Sequence, residues 1–166
     1  MAIPALAATT QDVTVTATPT YIALTNDDAD WVIGAVVINT KYWWTTDGNA
    51  PAPEPFEAAD MIATITNTGS VSEDVDVKAA AFTGGVGWAL SADDTPAADE
   101  VAVYAAITGC ANEAAMIRLT VADQELKDAL AAAGTVKWCM KLLTASAFGD
   151  GVAKSGTITL TASAAD

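Results

Sequence analysis

The residues of this chain best equipped for chemistry are carboxylates, and their neighbours decide what that chemistry could be. Among 166 residues there are 21 acidic and 7 basic side chains and no histidine. The commonest general base and the commonest transition-metal ligand are therefore absent from the sequence. Acidic pairs stand at Asp27-Asp28, Asp93-Asp94 and Asp99-Glu100. All three lie in polar, loop-like stretches, where their pKa values have little reason to move. A glycosidase needs two carboxylates flanking an aromatic-lined cleft, and Glu54 or Glu57 near Trp43 and Trp44 comes nearest to that pattern. The sequence holds no Gly-x-Ser-x-Gly elbow, phosphate loop or dinucleotide fingerprint. These residues do not add up to an enzyme.

Binding chemistry is the next question. Asn26, Asp28 and Asp30 alternate like the oxygen ligands that open a calcium loop, but the glycine and the bidentate glutamate of that loop do not follow. A solvated acidic turn is the simpler reading, so no cofactor is expected and a structural calcium is the alternative. Cys110 and Cys139 are too few for a four-ligand zinc site. They read as two small, reduced, buried residues, or as one disulfide if the fold brings them together. A net charge of −14 argues against nucleic acid, whose phosphates call for cations, and equally against an anionic membrane surface. No stretch approaches the roughly 20 apolar residues of a membrane span.

One aromatic run stands out, Lys41-Tyr42-Trp43-Trp44-Thr45. Successive side chains of a strand point to opposite faces, so at least one ring must face away from the core it helps to build. Exposed rings mark contact surfaces; the alternative is that the rings pack beneath the following loop. That loop, 47–56, carries Pro51, Pro53 and Pro55 at every second position and ends at Phe56. Such a segment suits an extended lid or arm. Tyr42, Trp43, Trp44, Pro53 and Phe56 are the candidate interface or ligand-binding residues.

The elements that would position them are mostly strands. Met61 to Thr66 alternates up to the turn Asn67-Thr68-Gly69; Val75 and Val77 alternate with Asp74, Asp76 and Lys78. Gly84-Gly85 turns the chain into Val86, Trp88 and Leu90, and Trp88 is a plausible centre for a core. Val13, Val15 and Ala17 alternate with threonines up to Pro19. Trp31 to Ile38 is continuously apolar, as in a strand covered on both faces or kinked at Gly34. Val101–Ile107 reads as a strand, 122–133 as a short helix stopped by Gly134, and Val136–Leu142 as a strongly alternating strand. Phe148–Val152 reads as a hairpin turn before a last strand at Thr157–Thr161. With nine to eleven strands, the chain is expected to be an all-β, antiparallel immunoglobulin-like or jelly-roll sandwich, one domain over 12–166 with a flexible arm at 1–11. That start, MAIPALAATTQD, lacks the cationic and long apolar regions of a secretory leader.

The segment Ile65-Thr-Asn-Thr-Gly-Ser-Val71 followed by Val75-Asp-Val-Lys78, with the closing Gly156-Thr-Ile-Thr-Leu-Thr-Ala162, resembles immunoglobulin-like domains of prokaryotic surface and virion proteins. The whole chain looks like small virion proteins of tailed phages, of the capsid-decoration kind. That resemblance implies a non-enzymatic cement subunit, assembled in the host cytoplasm. Its partners would be the major capsid protein or other virion subunits, and further copies of itself, a trimer among the options. A pilus or surface-layer subunit at the cell surface is the first rival, and a carbohydrate-binding or adhesin module the second.

Overall fold

The computed structural model describes residues 17, 19–27, 30–44, 63–108 and 113–166. Ten strands run through them: β1 (Leu24–Asn26), β2 (Lys41–Trp43), β3 (Ala63–Asn67), β4 (Glu73–Ala79), β5 (Ala89–Leu90), β6 (Glu100–Ala106), β7 (Ile117–Arg118), β8 (Gln124–Leu130), β9 (Thr135–Leu143) and β10 (Ile158–Ala164). The larger sheet has the order β1-β3-β9-β6-β5. Strand β2 continues the edge of β9 beyond β3, and β7 adds to β6. The smaller sheet is β10-β4-β8. Every pairing is antiparallel except β5 with β6. The chain is an all-β sandwich.

Alternation explains most of the packing. In β4 the buried residues are Glu73, Val75, Val77 and Ala79, with Asp74, Asp76 and Lys78 half-buried between them. In β3 they are Ala63, Ile65 and Asn67. The turn between these strands carries the chain from the large sheet to the small one, and a single side chain holds that corner. Fully buried Asn67 donates from Nδ2 to the carbonyls of Val71 and Leu130, both at 2.8 Å, and accepts from the Gly69 amide at 2.8 Å. Both its donors and its acceptor oxygen have partners across two sheets, which is what burial of an amide requires. Buried Glu73 accepts from the Ala23 amide at 2.7 Å. A Cβ on Gly69 would lie 2.2 Å from Glu73 Oε1 and 2.7 Å from the Tyr21 carbonyl, so only glycine fits there.

Trp88 does join the core, stacked on Phe148 at 5.1 Å between centroids and tilted against Phe82 at 6.2 Å. The Lys154 ammonium lies 5.9 Å from the Trp88 ring centroid and pairs with Asp150. Asp150 also accepts from the backbone amides of Val86 and Val152. Its carboxyl is held down at about 2, chiefly by the hydrogen bond from Lys154 and then by those two amides.

Three expectations are corrected. Residues 122–133 are not a helix; Gln124–Leu130 is strand β8. Leu126 and Leu130 are both buried, and a spacing of four satisfies the strand period as well as the helical one. Two register shifts against β4 and a positive φ at Ala129 bend β8 and blur its alternation. Trp31–Ile38 is not a strand, for Gly34 turns with φ of 77°. Phe148–Val152 is not a hairpin turn, because the strands on either side, β9 and β10, belong to different sheets. The segments at 1–11 and 12–16 lie outside the described residues.

Ile65 is fully buried between the sheets. Ile65→Ala should cost about 2–5 kcal/mol of stability, read as a lower midpoint in urea with an unchanged slope. The depressed pKa of Asp150 gives a second expectation. The folded state binds this proton more weakly than the unfolded one, whose carboxyl titrates near the ordinary 3.8. The resulting stabilisation is complete above about pH 4 and is lost as pH falls through about 2. Asp150→Asn should flatten the acid limb of the stability profile across that window.

Candidate functional site

Strand β9 sits centrally in the large sheet and splits its side chains between two faces. Trp138, Met140 and Leu142 enter the core between the sheets, whereas Cys139 enters a second buried cluster on the outer face. Strand β6 divides in the same way. Val101, Val103 and Ala105 face inward; Ala102, Tyr104 and Ala106 join the outer cluster with Trp43 and Met116. The large sheet is thus packed on both sides around these strands.

This arrangement decides the aromatic run. Tyr42 and Trp44 point into the main core and Trp43 points to the outer cluster, with exposures of 2%, 2% and 1%. The rings do alternate between faces, but neither face is solvent. The expectation that one of them forms an exposed platform is corrected. Trp44 meets Trp138 edge-on at 5.3 Å and stacks on Trp31 at 6.4 Å, and the Tyr42 hydroxyl accepts from the Val37 amide at 2.7 Å. Pro53 and Phe56 lie outside the described residues, as do Glu54 and Glu57.

Charge is built into the outer cluster. Lys141 is 3% exposed, with its ammonium 4.0 Å from the Tyr104 ring centroid and 5.6 Å from that of Trp43. Glu113, in a 3-10 turn at Glu113–Ala115, pairs with Lys141 at 2.8 Å and with Lys41 at 2.6 Å. The Tyr104 hydroxyl donates to Asp94 at 2.6 Å, and Arg118 reaches the same oxygen at 3.2 Å. Burial, followed by the hydrogen bond to Asp94, pushes the Tyr104 phenol well above its ordinary value. That hydroxyl in turn holds Asp94 below the usual carboxylate range, aided by Arg118. Both shifts keep the proton on Tyr104 rather than on Asp94. The arrangement is a clasp that fastens the 3-10 turn and the Asp94 loop to the sheet.

The remaining acidic pairs serve as turn builders. Asp93 accepts from the amide and hydroxyl of Thr95, which lower its pKa. Asp99 accepts from the Gly149 amide at 2.6 Å, Glu100 from that of Ala97 at 3.1 Å, and Asp27 from that of Thr64 at 2.6 Å. The expectation of unmoved carboxylates therefore fails at Asp93 and Asp94, whose pKa values move down. Asn26 Oδ1 accepts from the Trp138 indole N–H at 3.0 Å, and Asp28 lies outside the described residues. Cys139 is disulfide-bonded, so the reading of two reduced cysteines is corrected. The only other cysteine in the sequence, Cys110, lies outside the described residues.

Exposed aliphatic side chains lie where the sequence suggested a buried strand. Trp31, Ile33 and Val36 pack on the core, while Val32 (62%), Val37 (62%) and Ile38 (44%) are exposed. Their backbone is anchored rather than loose. Fully buried Thr144 donates to the Val37 carbonyl at 2.6 Å and accepts from the Thr40 amide at 2.9 Å. The Asn39 amide reaches the Ala145 carbonyl at 2.9 Å. This is an apolar ridge on a fixed scaffold.

Glu113→Gln should strand the buried Lys141 charge and cost roughly 2–4 kcal/mol, whereas Lys141→Met, which keeps the stem over Tyr104, should change stability by about 1 kcal/mol or less. Urea unfolding of both variants and the double variant checks this, with the double variant recovering most of the Glu113→Gln loss. Comparison of the chain with protein-family models, with curated proteins and with solved structures found no match.

Proposed function

We propose that this protein is a non-enzymatic structural subunit exposed on the surface of an extracellular assembly, in the first instance a decoration or cement subunit of a virus shell. The observation that carries the reading is the fixed apolar ridge of Val32, Val37 and Ile38. Three aliphatic side chains held in water by an anchored backbone favour burial against a neighbouring subunit. The carboxylates described above serve the fold, which fits a part that gives contact area rather than chemistry. A net charge of −14 keeps the subunits soluble and opposes non-specific clumping. Many copies of a modest contact then add up by symmetry. The partners on this reading are a shell protein and further copies of the chain.

A second reading rests on Cys139. Disulfides persist at virion and cell surfaces and in other oxidising compartments, so the bond at Cys139 equally suits an exported pilus or surface-layer subunit. The sugar-binding alternative loses its platform, because Tyr42, Trp43 and Trp44 are buried.

Density-gradient fractionation of a producing culture separates the two, with the protein quantified by mass spectrometry across particle, envelope and soluble fractions. Co-migration with intact particles, in fixed proportion to the shell protein, is the expected result. Recovery with envelopes or filaments would move the assignment to the second reading. Recovery in the soluble fraction alone would overturn both.

A further inference from the structure

Strand β10 forms an edge of the smaller sheet, paired to β4 along its seven residues. The Ala80 amide donates to the Thr157 carbonyl, and the Ala165 amide to that of Ser72. In an antiparallel ladder, hydrogen-bonded pairs recur at every second residue. Odd-numbered residues of β10 therefore bond β4, and the backbone groups of Ile158, Leu160, Ala162 and Ala164 point away from the sheet. Among the described residues no hydrogen bond reaches them. Natural edges are protected by charge, proline, bulges or a covering element. The sequence of β10, Ile-Thr-Leu-Thr-Ala-Ser-Ala, has neither charge nor proline, and its register against β4 is unbroken. Ile158 and Leu160, which face the core, are only half-buried. The sandwich is open along this edge.

A matching strand exists in the sequence. Residues 12–18 read Asp-Val-Thr-Val-Thr-Ala-Thr and stop at Pro19. Seven extended residues span about 23 Å, the length of β10 itself. Val13, Val15 and Ala17 would supply the apolar face that continues Ile158 and Leu160. The position of the described chain is also telling. Thr20, Tyr21 and Ile22 line a surface depression together with Ala164 and Ala165, at the end of β10. Tyr21 and Ile22 are exposed there. Among the described residues the outward groups of β10 meet nothing, and Ala17 is exposed.

We infer that β10 is a strand acceptor whose occupant is the 12–18 segment of a second copy, so that copies link by strand addition. A donor and an acceptor on every chain make the contact heterologous, and it propagates unless a ring closes. The inference deepens the structural-subunit reading and rests on it for its biological meaning, although the association itself is measurable without any particle.

The test uses the full chain and two full-length variants. Ala162→Pro removes an outward amide while leaving the β4 ladder intact, since proline is tolerated at such edge positions. Val15→Pro disables the donor strand and leaves the acceptor whole. In sedimentation velocity, the wild type should grow in mean mass with concentration, and each variant alone should stay monomeric. An equimolar mixture of the two variants should form a dimer and stop there, each pair having one working donor and one working acceptor. Misfolding of either variant cannot produce that recombination. Hydrogen exchange should show the Leu160 and Ala162 amides slowed roughly a hundredfold in the associated wild type, and at Leu160 that protection should be lost in either variant. A wild type that stays monomeric at all concentrations would overturn the inference, whether its Leu160 and Ala162 amides are protected by its own arm or not at all. Association that survives both substitutions would overturn it equally. Particle fractionation bears on the structural role and leaves these outcomes unchanged.

Discussion

Strand β9 has to be apolar on both faces, and most of the molecule follows from that constraint. It is flanked by β2 and β3 along one edge and by β6 along the other, so its backbone is satisfied by neighbouring strands. Its side chains must then be covered twice, once by the small sheet and once by whatever lies outside. The inner cover is ordinary sandwich packing. The outer cover is assembled from Trp43, Tyr104, Met116 and the turn that carries Glu113. Lys141 is the point of conflict, because alternation delivers a cation to a face that is otherwise apolar. Two aromatic rings and one carboxylate resolve it. A buried ion pair of this kind is a poor source of net stability, but breaking it is costly. The lysine therefore fixes where the turn must sit rather than how stable the domain is.

Polar groups elsewhere follow the same logic. Asn67 closes the corner between the sheets, and its three hydrogen bonds join the β3–β4 turn to the end of β8. Asp93, Asp99, Glu100 and Asp150 accept from backbone amides in turns and loops that would otherwise leave donors unpaired, and Asp27 accepts from the Thr64 amide of β3. A strongly acidic composition thus has two roles. Part of it replaces secondary structure in the loops, and the rest charges the surface. This is why the acidic pair at Asp93-Asp94 sits in a turn, with both carboxyls pushed down rather than up, as is the lone Asp150.

How much of this was legible depended on how far apart in the sequence the cause and its effect lie. Strands β3, β4, β9 and β10 show in the sequence because period-two alternation is local. The all-β class follows from them. The misread helix at 122–133 came from Leu126 and Leu130, whose spacing fits both periods, in a strand that bulges against its partner. The run Trp31–Ile38 looked like a doubly covered strand because nothing polar interrupts it, whereas β6, with its equally uninterrupted Val-Ala-Val-Tyr-Ala-Ala, is covered on both faces. The two cases differ only in neighbours. Trp43 was rightly expected to oppose Tyr42 and Trp44, but its cover comes from Tyr104 and Met116, far along the chain. The Lys141–Glu113 clasp, 28 residues apart, has no local signature either.

An apolar ridge and an unprotected strand edge make different kinds of contact, and the distinction matters for assembly. The exposed aliphatic groups of Val32, Val37 and Ile38 offer an attraction that is non-directional and scales with the area buried. It suits a partner of complementary shape and sets little register by itself. The edge of β10 is directional, since each outward amide and carbonyl demands a partner at a fixed spacing. Register there is set by alternation, because a slip of one residue would turn Val13 and Val15 away from Ile158 and Leu160. A subunit with both devices can separate strength from specificity. In the proposed assembly, the ridge would supply contact area to a scaffold, while the edge would determine which chain lies beside which, and in what orientation. On that proposal the outer face, closed by its own packing around Trp43, Tyr104 and Met116, leaves those two surfaces for neighbours.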